Sequence, residues 1–209
     1  MGAQIEASKS WAKALMDEAG VPTALGETFT DAKLAQDYIA QQGAPIVVKA
    51  DGLAAGKGVI VASTIEEAQN AIAELFELGF EKLVVEEFLV GEEVSVLALT
   101  DGITVRPLLP AQDHKRIGEG DTGNNTGGMG VYAPAPIAPP QFMEKITQEV
   151  LQPTVETLRK RGIDYRGVLY AGLMVHEGEI KLLEYNCRFG DPETQAILPL
   201  LETPLEEIL

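Results

Sequence analysis

Two short β-branched runs, Pro45-Ile46-Val47-Val48-Lys49-Ala50 and Val59-Ile60-Val61-Ala62, flank the glycine-rich segment Asp51–Gly58. An apolar run, a sharp turn and a returning apolar run make an antiparallel hairpin. That geometry excludes the phosphate loop that opens a helix. The spacing excludes it too: only three residues separate Gly52 from Gly56, and Gly58 stands where that motif has its magnesium-binding Ser or Thr. Glycines still let backbone amides approach an anion, and Lys57 adds a point charge. Alone, Gly56-Lys57-Gly58 reads equally well as a mobile hairpin tip. Lys49 ends the strand before it, and two lysines bracketing a glycine flap suit a triphosphate.

The same logic marks other strands. Glu92–Thr100 and Ile103–Leu109 surround Asp101-Gly102, a strong hairpin signal. Val168–Val175 and Glu179–Tyr185 surround Glu177-Gly178, and Lys82–Glu87 is a further strand. Helical spacing predicts Ser8–Ala19, with Trp11, Ala14, Leu15 and Ala19 on one face, and Asp31–Gln42, stopped by Gly43. Thr64-Ile65-Glu66-Glu67 is a capping box opening a helix to about Leu78. Gln141–Arg161 is a helix bent at Pro153, Pro192–Leu201 another, and Thr203-Pro204 opens a last one. Residues 111–138 are rich in Gly, Asp, Asn and Pro, without evident secondary structure. A segment of that length is expected to be functional or disordered. This order of elements predicts an α+β fold, with two lobes around a cleft.

Composition narrows the chemistry. The 209 residues fit one large domain or two small ones. A formal net charge of −16 repels polyanions, so nucleic acid is not expected as a partner. Cys187 is the only cysteine, which excludes an intrachain disulfide and a cysteine-rich metal site. With only His114 and His176 as histidines, any metal should be a hard cation with oxygen ligands. No apolar run is long enough for a bilayer, and the first residues lack the pattern of a secretory signal. A cytoplasmic protein without membrane contact is therefore expected.

Three further segments carry polar side chains in chemically useful order. In Val85-Glu86-Glu87-Phe88-Leu89-Val90-Gly91-Glu92-Glu93, acidic groups follow a strand and could bond an adenine amine and ribose hydroxyls. Taken alone they read as a solvated charge cluster. Gln112-Asp113-His114-Lys115-Arg116 sets three potentially basic groups beside Asn125-Thr126-Gly127-Gly128-Met129-Gly130, a loop of donating backbone where phosphate would be drawn. In Glu184-Tyr185-Asn186-Cys187-Arg188-Phe189-Gly190-Asp191-Pro192-Glu193, Glu184 and Asn186 share one strand face and could hold magnesium. Arg188 follows, placed to clamp a carboxylate or phosphate. Cys187 faces the other way, as a small core residue.

Lys49, the glycine flap, Glu86-Glu87-Phe88-Leu89 and Glu184-Tyr185-Asn186 stand in the order of an ATP-grasp fold. The strings Gln112–Arg116, Asn125–Gly130 and Asn186–Gln195 resemble, more narrowly, the phosphoribosylamine–glycine ligases of purine biosynthesis. The resemblance runs from about Ser8 to the end. It implies ATP with Mg2+ or Mn2+, and glycine and 5-phosphoribosylamine as substrates, joined through a glycyl phosphate. Lys49, Gly56, Lys57 and Gly58 would then serve the ATP phosphates, Glu86, Glu87, Phe88 and Leu89 the adenine, and Glu93 the ribose. Glu184 and Asn186 would hold the metal. Arg188 and Asp191, with Asp113, His114, Lys115, Arg116, Gly127, Gly128, Met129 and Gly130, would serve the substrates and the chemistry. About 21–90 would form the smaller lobe, and 1–20 with 91–209 the larger. The N-terminal Rossmann-like and C-terminal domains of such enzymes are not visible. Two other readings stay open: an ATP-binding fragment without turnover, and a sibling ATP-grasp carboxylate–amine ligase.

Overall fold

The computed structural model describes residues 1–52, 58–120 and 122–208, without the side chains of Asn124 and Asn125. Its contacts form two compact units: Ala3–Ala14 with Thr23–Val90, and Met1–Gly2 with Leu15–Pro22 and Gly91–Leu209. The sequence reading put all of residues 1–20 with the larger lobe; residues 3–14 instead belong to the smaller unit. The cause is polar. Ser10 donates through both its amide and its hydroxyl to Asp51, and Ser8 donates to the same carboxylate.

In the smaller unit, α1 (Gln4–Ala7) and the first part of α2 (Lys9–Ala19) precede β1 (Gly26–Phe29), α3 (Ala32–Gln42), β2 (Ile46–Ala50), β3 (Val59–Ala62), α4 (Ile65–Glu77) and β4 (Leu83–Glu87). The sheet order is β1-β4-β2-β3, all antiparallel. Strand alternation sends Ile46, Val48, Ala50, Leu83 and Val85 into a core with Ala35 and Ile39 of α3 and Ala68, Ile72 and Leu75 of α4. Val47, Lys49, Val84 and Glu86 therefore take the opposite face, with Val47 directly across from Glu86.

Both helices start where the sequence marks them. Asp31 accepts from the Leu34 amide, and Thr64 from the Glu67 amide. The reciprocal arm of the capping box differs in target: Glu67 accepts from the Ser63 amide at 2.7 Å, one residue earlier than the motif prescribes. Strand β1 was not foreseen, because Gly-Glu-Thr-Phe is too short and polar to announce itself. The edge of β4 creates it, and Gly26 permits the approach: a Cβ there would lie 2.4 Å from the Val85 carbonyl.

The larger unit contains β5 (Glu92–Thr100), β6 (Val105–Pro107), β7 (Gln112–Asp113), β8 (Arg116–Gly118), β9 (Thr122–Asn125) and β10 (Val131–Tyr132). After these come α5 (Pro140–Ile146), α6 (Gln152–Lys160), β11 (Gly167–His176), β12 (Glu179–Asn186), α7 (Glu193–Ile197) and α8 (Leu205–Ile208). Its main sheet has the order β12-β11-β5-β6. The long helix expected at 141–161 is two helices joined by a π-helical stretch, Thr147–Leu151. Pro153 has no amide hydrogen to donate back to Glu149, and the Gln152 amide instead reaches Thr147, one residue farther than an α-turn.

Residues 111–138 are more ordered than their composition suggests. Strand β7 pairs with β10, and β8 with β9. His114 and Gly130, Met129 and His114, and Thr126 and Lys115 add backbone bonds of 2.9, 2.8 and 2.6 Å. A long segment lying on a sheet must satisfy its own amides, and this one does so by folding back on itself.

Candidate functional site

One face of the larger sheet gathers several of the candidate residues. Ser95 on β5 sits across from Gly172 on β11, and Gly172 from Glu184 on β12; Tyr170 sits across from Asn186. These side chains therefore project together. A β-bulge between Gly172 and Leu173 is what puts Glu184 there. Leu182 pairs with Leu173 on the apolar face, and without the extra residue Glu184 would follow it into the core. Tyr185 points to that apolar face, where its hydroxyl bonds to Thr154 of α6. On the same face, Leu97, Leu99, Val168 and Tyr170 continue the alternation of Ser95 and Gly172 and, with Ala111 and Ile197, form a buried cluster next to the polar side chains.

Asp113, Lys115, Thr126, Gly127, Tyr170, Glu184, Asn186, Arg188, Asp191 and Glu193 line one cavity of about 130 Å³. Arg188 donates to the Asn186 side-chain oxygen at 3.4 Å and to the Phe189 carbonyl at 3.1 Å. Lys115 forms an ion pair with Glu93 at 2.9 Å. Burial works against the Lys115 charge. Glu93, with smaller help from Glu184 and Glu193, outweighs that and holds its pKa above the ordinary lysine value.

Glu193 was not among the residues the sequence singled out. It is 2% exposed, and its Oε1 accepts from Tyr170 at 2.7 Å and Ser95 at 2.9 Å. A buried carboxylate needs such donors to persist. Gly190 makes room for it, since a Cβ there would fall 2.3 Å from Glu193 Oε2. Desolvation first, then the nearby Glu193 charge, raise the pKa of the Tyr170 hydroxyl, so it stays a donor. Among the described residues, the buried Oδ1 of Asp113 has no hydrogen-bond partner. Burial, and then Glu193, push its pKa above the usual carboxylate value, against the opposing pull of Lys115 and His114. A partnerless buried acceptor beside a cavity is a place for a donor to arrive.

In the smaller unit Lys49 and Glu86, on one sheet face, form an ion pair of 2.5 Å. Lys13 of α2, absent from the sequence reading, reaches the other oxygen of Glu86 at 3.0 Å. Lys9, likewise missed, donates to the Gly52 carbonyl at 3.0 Å, where the glycine segment begins. No local spacing announces either lysine; only the packing of α2 brings them to these places. The Glu87 carboxylate accepts from the Leu25 amide at 2.9 Å, fastening the entry to β1. Phe88 and Leu89 follow β4, both half-buried. Gly58 is buried, and its carbonyl accepts from Ala50 at 2.7 Å. Gly56 and Lys57 lie outside the described residues.

His114, Arg116, Gly128, Met129 and Gly130 do not line the cavity. His114 is exposed, with its ring 5.8 Å from that of Tyr132, and Arg116 and Gly130 are exposed as well. Gly128 adopts φ +122°, and a Cβ on it would meet Asp113 and Pro192, both at 2.9 Å. Its role in the geometry is to let the loop approach Asp113.

The cavity's oxygen donors suit a hard divalent cation: Glu184 and Asn186 on one wall, with carboxylates nearby. Among the described residues no cluster of three or more His, Cys, Asp or Glu side chains forms a self-sufficient metal cage. A cation here would complete its shell with ligand and water oxygens.

The fold has counterparts among known proteins. At 21% identity the chain superposes with a TM-score of 0.72 on the biotin carboxylase domain of Hydrogenobacter thermophilus 2-oxoglutarate carboxylase, solved with MgADP and bicarbonate; the match covers 91% of this chain and 41% of that one. The shared architecture is the ATP-grasp fold. At 40% identity and a TM-score of 0.87 it matches phosphoribosylamine–glycine ligase from Thermotoga maritima, over 95% of this chain and 51% of that chain. The phosphoribosylamine–glycine ligase of Synechocystis sp. is 74% identical over all of this chain and 50% of its own length. Residues 7–194 match the family described as phosphoribosylglycinamide synthetase, ATP-grasp (A) domain. The chain belongs to that family. It spans about half the length of the curated ligases it matches. No described helix is long and apolar enough to cross a membrane.

Proposed function

We propose that this chain supplies the ATP-binding and phosphoryl-transfer part of a ligase joining glycine to 5-phosphoribosylamine, releasing glycinamide ribonucleotide, ADP and phosphate. The observation that carries the reading is the convergence of Glu184, Asn186, Arg188 and Asp191 with Asp113 and Lys115 on one cavity, in a family of such ligases. The γ-phosphoryl group passes to the glycine carboxylate, and the amine of phosphoribosylamine displaces it as phosphate. No enzyme nucleophile is needed, so positioning and charge neutralisation carry the catalysis.

In this reading Glu184 and Asn186 would hold Mg2+ or Mn2+, which when bound would supply neutralisation of phosphate charge. Arg188 neutralises the acyl phosphate oxygens, and Asp191 and the Asp113–Arg116 and Gly127–Gly130 segments orient the substrates. Lys49, Gly56, Lys57 and Gly58 take the ATP phosphates. Glu86, Glu87, Phe88 and Leu89 face the adenine, and Glu93 the ribose. The Glu93–Lys115 pair then opens or is shared when the nucleotide enters. The remaining contacts to phosphoribosylamine come from the parts of the longer relatives that this chain does not span. The enzyme acts in the cytoplasm.

A second reading keeps ATP binding and drops turnover. ADP release from Mg-ATP, with glycine and phosphoribosylamine together and each left out in turn, separates the two. Release that needs both establishes the reaction. Binding without release makes the chain an ATP-binding module, and absence of binding overturns both readings.

A further inference from the structure

We propose that Lys13 is a positioning residue for the nucleotide: it holds Glu86 from one side, so that the charge of Lys49 on the other side stays available to phosphate. The inference rests on the ATP reading above and goes beyond it in naming a residue with no direct ligand contact.

Three side chains make the device. Lys13 Nζ lies 3.0 Å from Glu86 Oε1, and Lys49 Nζ 2.5 Å from Glu86 Oε2. All three side chains are deeply buried, 10%, 12% and 7% exposed for Lys13, Lys49 and Glu86. Lys13 is fixed more fully than an ion pair alone requires. Its ammonium also donates to the Ala24 carbonyl, and to the Thr23 hydroxyl at 3.3 Å. An ammonium has three donors. Glu86, Ala24 and Thr23 occupy all of them, so Lys13 is a fixed strut and not itself a phosphate ligand.

The shared carboxylate explains what the strut does. Lys13 and Lys49 lean on the two oxygens of one Glu86, so this buried carboxylate keeps a cation when Lys49 turns toward an anion. Remove Lys13, and Lys49 and Glu86 become a neutral pair. Phosphate must then compete with Glu86 for Lys49, and if Lys49 leaves, Glu86 is stranded in the interior. Lys13 keeps Glu86 compensated whichever partner Lys49 takes.

The test measures dissociation constants of ATP and adenosine for the wild-type chain, Lys13→Met, Lys49→Met and the double variant. Lys13→Met should weaken ATP by about tenfold, the size of one lost charge-assisted contact. Adenosine should lose clearly less than ATP, by under about threefold, because Lys13 bears on it only through Glu86 at the adenine and it carries no phosphate for Lys49. In the Lys49→Met background, the further loss of Lys13 should alter ATP affinity by less than about twofold. Equal losses for ATP and adenosine, or the same ATP loss in both backgrounds, reduce Lys13 to a scaffold residue and overturn the proposal. If the wild-type chain binds neither ligand, the nucleotide reading itself falls, and the strut with it. Should Lys13→Met fail to fold, a structure of the wild-type chain with ATP decides the matter. Lys13 still on Glu86 with Lys49 on phosphate supports the strut. Lys13 on phosphate, or departed from Glu86, refutes it.

Discussion

The Tyr170 hydroxyl lies 2.7 Å from Glu193 Oε1, an oxygen that also accepts from Ser95 at 2.9 Å. Tyr170→Phe removes one of two donors from a buried carboxylate. It should cost the larger unit about 1–3 kcal/mol, the range for a lost bond to a buried charged group. Ser95→Ala should cost a similar amount, and the double variant should depart from the sum because the two share one acceptor. Urea unfolding followed by circular dichroism reads all three; strict additivity would show that the hydroxyls act independently.

Glu184 reaches the cavity only because of the bulge in β12. Glu184→Gln keeps the shape and removes the charge. Magnesium-supported ATP binding should weaken by about tenfold, one charge-assisted contact, with little change in thermal stability. Titration calorimetry at two Mg2+ concentrations measures it. Equal affinities for the variant and the wild type would remove Glu184 from the metal assignment.

Asp51 ties the start of α2 to the end of β2 through Ser8, Ser10 and, at 3.7 Å, Lys82. Burial raises its pKa, but the bonds from Ser10 and Ser8 and the Lys82 charge together win, so the net shift is downward. A depressed carboxyl pKa stabilises the fold above the unfolded value of about 3.9, and this stability is lost as pH falls through the lower folded value. Asp51→Asn should therefore destabilise the smaller unit at pH 7, by about 1–3 kcal/mol. The difference from wild type should shrink in the most acidic samples. Denaturant melts across that pH range test the sign.

Asp113 behaves in the opposite sense. Burial and Glu193 raise its pKa, so the folded state holds this proton more tightly than the unfolded chain does. The corresponding stability is present below the unfolded value and fades as pH rises through the folded one. Asp113→Asn should raise the melting temperature of the larger unit at pH 7 and change it little near pH 3. The same variant should impair glycine-dependent ADP release. A lower melting temperature at neutral pH would contradict this account of Asp113.

Much of this was legible locally. Strand alternation and turn residues marked the hairpins at Gly102 and Gly178, and Asp31 and Thr64 marked two helix starts, because these signals depend on a few neighbouring residues. The strings around Asn125–Gly130 and Asn186–Gln195 identified the family. The sequence by itself thus determined the element types, the placement of Glu184 and Asn186 on one strand, and the kinship.

Tertiary structure decided what depends on distant partners. Strand β1 exists because β4 has a free edge, and residues 3–14 join the smaller unit because Asp51 and Glu86 attract Ser10 and Lys13. The bulge beside Gly172 separates Leu182 from Glu184, which simple alternation would place on one face. Glu193 reads as an ordinary first-turn acid of α7 until Ser95 and Tyr170, 98 and 23 residues before it in the chain, close over it. Local periodicity fixes which way a side chain points from its own element. The charge it meets there is set by whatever the rest of the chain packs against it.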